Sequence, residues 1–423
     1  MMIGERTTVN GEQTTVDMVE NKPRVRMDLE FVPIRQGNDT IILIRDPLGL
    51  VDEGKAVPLP LYRVMALLDG TRTVRDIQMD LMRLRGGMLV GSDEVDRILA
   101  HLDDSFLLDS SRYGKAAEGI VAEFTSKTVR PCSHSGRSYP GDPGELAEKL
   151  GEILALGPAP PEGEERLTGL IAPHIDLGVG AGVYASAYRM LEKSRPARVV
   201  ILGVGHQIRE HLFCLTEKDF ETPFGVVKND RIAVEALRDA GGQILCENDF
   251  YHRAEHSIEF QVIFLSHLLR GRGFSIVPVL CGPFGPCLGE YTRAAYLEKA
   301  GPILRVLSDI LGDGGEETLL VAGVDFSHIG PKFGHEMPAS YLQRQTEAHD
   351  RKLLEAVSGG DREGFWAESI RVRDQFNVCG FSAMACLMET LPPSRGRILD
   401  YRMWHEEPTR SAVSFAAVRF YAQ

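Results

Sequence analysis

The sequence predicts an α/β protein with a smaller α+β module in front of it. Three observations carry that reading. From about residue 166 to 423, apolar β-branched runs alternate with helix-length stretches, the pattern of a mainly parallel or mixed sheet flanked by helices. Residues 25–110 instead place strands first and helices after them. A length of 423 residues leaves room for two or three domains, and 43% hydrophobic with 25% charged residues supplies a globular core.

Residues 1–24 read as a polar leader rich in Thr, Gly, Asn and acids. The start lacks a signal-peptide pattern. No window reaches the roughly 18 apolar residues of a membrane span, so a cytoplasmic location is expected. RVRMDLEFVPI and DTIILI read as strands, with QGND as the turn between them. Thr73 can cap a helix with Asp76 as its capping-box partner. Val74, Ile77, Leu81 and Leu84 then share a face, and Gly86–Gly87 end the helix. Ser92 is the expected cap of the next helix, with Asp93 and Glu94 near the positive end of its dipole. Val95, Ile98, Leu99 and Leu102 form its apolar stripe.

Residues 111–165 read as a connecting segment that partly belongs to the large domain. SGRSYPGD leads into a helix near Asp142–Pro143, and PAPPEG at 158–163 punctuates the chain. In residues 166–423, LTGLIAP, RVVILGVGH, FSIVPVLCG and TLLVAGVDFSH are candidate strands, with RILDYRMW and SAVSFAAVRF as late ones. Helical patterns cover Ala181–Leu191, 288–311, 341–357, 361–369 and Val378–Leu391.

The formal charge of -13, from 47 basic and 60 acidic residues, argues against non-specific binding to nucleic acid or to an anionic membrane. The seven cysteines are scattered without a CxxC pair. That disfavours a disulfide framework, a zinc ribbon or a cysteine-ligated cluster and fits a reducing compartment. There is no G-x-S-x-G elbow, Walker A loop or dinucleotide fingerprint; GVGAG at 178–182 reads as a turn into a helix that could hold an anion.

Three segments end alike. LIAPHIDLG places His174 and Asp176 beyond an apolar run, VILGVGH places His206, and LLVAGVDFSHIG places Asp325 and His328. Open α/β sheets bind ligands beyond the carboxyl ends of their strands. A single histidine there commonly bonds a backbone carbonyl, but three such endings point to a shared site. Neutral imidazoles ligate iron, zinc or copper, and carboxylates complete or orient the set. In Glu255–His256–Ser257–Ile258–Glu259, helical spacing puts Glu255 and Glu259 on one face, as it does His252 and His256. His256 or Glu259 then serves as acid, base or outer partner at the pocket rim, or the group simply caps the helix. Cys379 precedes Gly380 and a helix start, where helix-end N–H groups favour a thiolate; the alternative is a small buried hydrophobe. Cys386 reads as core.

The ordered motifs HSGRSYPGDPGEL, LIAPHIDLGVGAGVYASAY, VVILGVGH, TPFG, EHSIEFQVIFL, SIVPVL, GVDFSHIG and NVCG resemble the Memo family over residues 129–423. Bacterial members of that family are called AmmeMemoRadiSam system protein B. The resemblance implies an α/β fold like that of LigB-class extradiol dioxygenases. It implies metal ligation by His174, His206 and Cys379, and pocket roles for Asp325 and His328 with His256 nearby. The first motif departs from the HAGY form, so Asp176 could add a carboxylate to the inner or outer ligand set; Glu259 is a candidate for the outer set only. Fe(II) is the expected ion, with copper or zinc as alternatives. The bacterial family name implies radical-SAM and AMMECR1-like partners. Residues 25–110 resemble PqqD-like winged-helix domains through LDGTRTVRDI and EVDRILAHLDDSFLL, which implies peptide binding. Three functions remain open at this point: a metal-dependent oxidoreductase, a non-catalytic metal-binding scaffold, and a zinc hydrolase.

Overall fold

The structure, a computed structural model, describes residues 22–36, 39–158, 166–193, 196–312 and 318–423. Most of the leader, part of the QGND turn and most of PAPPEG lie outside these residues. The chain divides into two compact units, Met1–Ile120 and Val121–Gln423.

In the first unit β1 (Glu30–Gln36) pairs antiparallel with β2 (Asp39–Arg45), and β2 pairs with β3 (Ala56–Pro58). Helices α1 (Leu59–Met65), α2 (Val74–Leu84) and α3 (Ser92–Asp104) follow, and the chain passes into the second unit within α4 (Ser111–Thr125). The capping box of α2 forms: Thr73 Oγ1 accepts from the Asp76 amide at 3.2 Å, and the Thr73 amide donates to Asp76 Oδ2 at 2.9 Å. Ile77 and Leu81 bury against Val95, Leu99 and Leu102. Three expectations need correction. Leu84, at the end of α2 beside the glycines, is 56% exposed rather than part of the buried stripe. Gly91, not Ser92, occupies the cap of α3, and Ser92 is its first residue. The first strand begins only at Glu30, because Arg26 is buried in ion pairs with Asp28 and Asp46 at 2.7 and 2.6 Å, in a turn that precedes it.

The second unit runs β4 (Val129–Arg130), α5 (Pro143–Ala155), β5 (Leu167–Ala172), α6 (Ala181–Tyr188), β6 (Arg198–Val204), β7 (Phe213–Leu215), β8 (Asp219–Thr222) and β9 (Gly225–Asn229). It continues with α7 (Arg231–Gly241), α8 (His256–Leu268), β10 (Ser275–Cys281), α9 (Arg293–Gly312), β11 (Thr318–Gly323) and β12 (His328–Ile329). It ends with α10 (Ala339–Gly359), α11 (Arg362–Val372), α12 (Phe381–Thr390), β13 (Ser394–Glu406) and β14 (Ser411–Ala422). Among the described residues eleven strands form one mixed sheet, ordered β12-β14-β5-β11-β6-β10-β9-β8-β4, with β13 on β14 and β7 on β10. Its centre, β5-β11-β6-β10, is parallel, and β14 runs antiparallel to β5.

The central strands are apolar on both faces because helices cover both. Val200 and Leu202 join the core with Leu237, Ile303 and Met384, whereas Val199 and Ile201 join Leu150, Tyr184 and Phe264. Helix α8 lies close over the sheet at Gly323. A Cβ there would stand 2.5 Å from the Ser257 carbonyl oxygen, so only glycine admits the helix at this height. That approach brings the first turn of α8 to the carboxyl ends of the parallel strands.

Candidate metal centre

The parallel register assembles the site. Gly323 of β11 aligns with Ala172 of β5 and with Gly203 of β6. Two residues beyond that level come His174, Asp325 and Gly205, with His206 next. Three neighbouring strands therefore deliver two imidazoles and a carboxylate to one edge of the sheet. Cys379 arrives from the loop before α12. That loop holds Arg373, Asp374 and Asn377 in left-handed conformations, with φ of 51, 52 and 49°, a cost tolerated where the surroundings fix it. Asn377 Nδ2 donates to the carbonyls of His328 and Phe333, both at 3.1 Å. The Gly380 amide donates to the Asp325 carbonyl at 3.2 Å. A Cβ on Gly380 would lie 2.5 Å from Val324 Cβ, so glycine next to the cysteine is what lets the loop close on the strand end.

The ligand atoms point inward for identifiable reasons. His174 Nδ1 lies 2.9 Å from the Gly323 carbonyl, which can only accept, so Nδ1 carries a proton and Nε2 is the atom left to take either a proton or a metal. His206 Nδ1 lies 3.0 and 3.1 Å from the Glu255 carboxylate oxygens, which fixes the same tautomer. Cys379 Sγ stands 3.6 Å from His174 Nε2, and one ligand atom from each of His174, His206 and Cys379 lies within 4.8 Å of the others. Asp325 Oδ2 is also 3.6 Å from His174 Nε2. Three electron-pair donors thus crowd together, with the Asp325 carboxylate beside His174, and this set fits a cation. With metal–sulfur and metal–nitrogen bonds of about 2.3 and 2.05 Å, a tetrahedral angle gives a sulfur–nitrogen edge of about 3.6 Å.

The electrostatics tell the same story. Burial opposes a charge on His174, but Asp325 and Cys379 outweigh it and raise its pKa to about 9. His206 is raised for the matching reason, Glu255 overcoming burial. Burial would raise the Cys379 thiol, yet His174 and His206 pull it below its usual value. Burial raises Asp325 despite the nearby imidazoles. The centre is closed on one side and open on the other. His174 and Asp325 side chains are each 3% exposed, while His206 and His256 are 32% and 33% exposed at an otherwise crowded rim.

Glu255 takes the capping role that the sequence left open and adds one the sequence did not show, a contact with His206. It caps α8 rather than sharing a helical face with Glu259: the helix begins at His256, and Glu255 is extended with its carboxylate accepting from the Ser257 amide at 2.9 Å. The same carboxylate reaches His206 and approaches His256 Nδ1 at 3.3 Å. His256 stacks on His206, ring centroids 5.1 Å apart and 14° from parallel, and meets His174 edge-on at 5.1 Å. Glu255→Gln keeps the shape but removes the charge. Metal affinity is expected to fall about 10–100-fold, the usual cost of losing an outer partner, with circular dichroism unchanged.

Glu259 serves the scaffold instead. It pairs with Arg130 at 2.6 Å and accepts from Tyr139 Oη at 2.5 Å, Ser133 Oγ at 2.6 Å and the His134 amide at 2.9 Å. His134, also not anticipated, sits 5.7 Å from the His256 ring, so Glu259 reaches the centre only through that neighbour. Asp176 is exposed, and its Oδ1 accepts from the Gly178 and Val179 amides in the turn before α6. His328 Nδ1 faces the Phe326 carbonyl at 3.0 Å, and burial presses its pKa down to about 3.

His252 does not share a helix with His256: it ends a short 3₁₀ turn, Phe250–His252, and its Nε2 lies 3.0 Å from the Cys214 carbonyl. Burial lowers its pKa to about 4. The unfolded chain takes up that proton near pH 6.5 and the folded one near 4. This stability contribution is therefore intact above about pH 6.5 and lost as pH falls towards 4, up to about 3 kcal/mol. Urea denaturation across that range should show the decline, and His252→Gln should flatten it.

A family model described as "Memo-like protein" matches residues 130–419. A MEMO1 family protein of Aquifex aeolicus is 31% identical over 405 residues, covering 95% of this chain and 100% of the relative. One of Thermus thermophilus is 30% identical, covering 81% of this chain and 97% of the relative. A MEMO1 family protein of Nitrosopumilus maritimus is 25% identical over 69% of this chain and 99% of its own length.

Proposed function

The chain belongs to the Memo family, and we propose that it is a mononuclear non-haem iron protein performing redox chemistry on a small oxidisable substrate. The observation that carries the reading is the convergence of His174, His206 and Cys379 beside Asp325, with one side of the cluster open. Two imidazoles, a thiolate and a carboxylate suit a redox-active first-row ion. Fe(II) held there would supply one-electron chemistry. His174 and His206 would hold it through Nε2, each fixed by the partner on Nδ1. Asp325, held by the His174 amide at 3.0 Å, would orient the buried side. His256 at the open rim, with Nδ1 towards Glu255, is kept neutral by burial and by the imidazoles around it, so its Nε2 would accept a hydrogen bond and orient substrate. His328, with Nδ1 on the Phe326 carbonyl and its ring kept neutral by burial, would accept a hydrogen bond at Nε2 and so help hold substrate.

Metal analysis of protein purified without oxygen tests this. One iron per chain and oxygen-dependent turnover are expected; copper would keep the redox reading but change the ion. The tetrahedral spacing of Cys379 and His174 favours a second reading, a zinc hydrolase with Asp325 as base. Zinc as the isolated ion, with no oxygen sensitivity, would select it. No helix among the described residues is long and apolar enough to cross a membrane, and the free cysteines suit a cytoplasmic setting.

For residues 25–110 we propose a winged-helix-type module that binds a peptide. A groove of about 310 Å³ lined by Met27, Phe31, Tyr62 and Met65, among others, supports it. Recruitment of radical-SAM or AMMECR1-like proteins through this unit is the matching proposal. Pull-down that fails when residues 22–110 are removed, and survives loss of the metal ligands, is the expected result.

A further inference from the structure

We propose that Cys214 and Cys246 form a reversible disulfide, a peroxide-sensitive modification site separate from the metal centre. Cys214 lies in β7, and Phe213 before it makes a parallel bridge with Leu245. The Cys246 amide donates to the Phe213 carbonyl at 2.9 Å. The next residue on each strand is a cysteine, so the two sit side by side. Neighbouring strands run about 4.8 Å apart, inside the roughly 4.4–6.8 Å between α-carbons that a disulfide accepts. Cys246 beside it, together with burial, holds the Cys214 thiol well above its usual pKa.

Their exposures differ in a useful way. Cys246 is half-buried and lines a cleft of about 1120 Å³ with Lys127, Glu217, Lys218 and Asn248. Cys214 is buried behind it, its thiol 3.4 Å from the Asn248 carbonyl. An oxidant entering the cleft meets Cys246 first. A second thiol pair, Cys281 with Cys386, is buried on both sides and lacks such an approach.

The chemistry balances with hydrogen peroxide as oxidant. Cys246 sulfur attacks one peroxide oxygen: the S–O bond forms, the O–O bond breaks, and water leaves as the sulfenic acid appears. Cys214 sulfur then attacks Cys246 sulfur. The S–S bond forms, the S–O bond breaks, and the departing hydroxide leaves as water with the Cys214 proton. Two electrons pass from the thiols to peroxide. A dithiol reductant returns the pair by exchange. The bond would fix the start of the segment that carries Asp249, His252 and Glu255.

The test uses the full chain, purified without oxygen, reduced, then treated with dilute hydrogen peroxide. Intact mass and peptide mapping should show two hydrogens lost and one linked peptide pair containing Cys214 and Cys246, both reversed by dithiothreitol. Cys246→Ser should remove the link and Cys379→Ser should keep it. In Cys214→Ser, Cys246 should stop at a sulfenic acid trapped by dimedone. Oxidation of Cys246 to a sulfinic acid in the wild type with Cys214 still a free thiol would overturn the proposal. So would a wild-type map in which both remain thiols while Cys132 or Cys379 is oxidised, or loss of the link in Cys379→Ser.

Discussion

Replacing both His174 and His206 with alanine removes stoichiometric metal binding. The two rings supply two of the three converging ligand atoms. What remains, Cys379 and Asp325 in the buried wall with His256 at the rim, lacks both imidazoles of the converging set. The loss should exceed the roughly 10–100-fold expected for an outer partner such as Glu255. An anaerobic Fe(II) titration against a competing chelator reads it. His174→Ala also strands the Gly323 carbonyl, at about 1–3 kcal/mol. His206→Ala, whose ring is a third exposed, is the gentler single variant and should weaken binding in the same direction with the fold intact. Unchanged metal content in the double variant would place the ion elsewhere.

Arg130→Met should produce the largest loss of stability, about 3–5 kcal/mol, because it leaves Glu259 charged, buried and without its cation. The guanidinium is fully buried. It donates to Glu259, to Ser133 Oγ at 3.0 Å, and to the carbonyls of His252 and Glu255 at 2.7 and 2.8 Å. Those last two bonds tie β4 to the segment that positions Glu255, so metal affinity should fall along with stability. Removing both charges, as Arg130→Met with Glu259→Leu, should recover part of the loss, since the isolated charge is the main penalty. Urea denaturation of the single and double variants gives the comparison. A single variant as stable as the wild type would contradict the role assigned to this pair.

The central strands and the residues at their ends were legible because buried parallel strands write themselves as continuous apolar runs, and His174, His206 and Asp325 stand just past them. The short strands β7, β8 and β9 were not legible. They hold three to five residues each and take their form from pairing with β10 and with one another. Helix α7 follows them and went unassigned with them. For Glu255 the cap was legible as an alternative, but its contact with His206 was not, because helical spacing treats it as an interior residue. Its carboxylate reaches His206 only because the chain is extended at the cap. A Glu immediately before a helix-opening His–Ser pair was the available signal. His134 opens the HSGRSYPGDPGEL motif, but nothing in that motif placed it near the centre, since its position depends on Glu259, 125 residues away. Cys379 could be weighed from its Gly380 neighbour, but its convergence with two strand ends needed the left-handed turn at Arg373 and Asp374 and the contact of Gly380 with Val324.

X-ray absorption on protein isolated without oxygen tests the metal centre most directly. One sulfur at about 2.3 Å with two or more nitrogen or oxygen neighbours at about 2.0–2.2 Å is the expected shell, and the sulfur should vanish in Cys379→Ser. An ion surrounded by nitrogen and oxygen alone in the wild type, or a chain that isolates and reconstitutes without any metal, would contradict it.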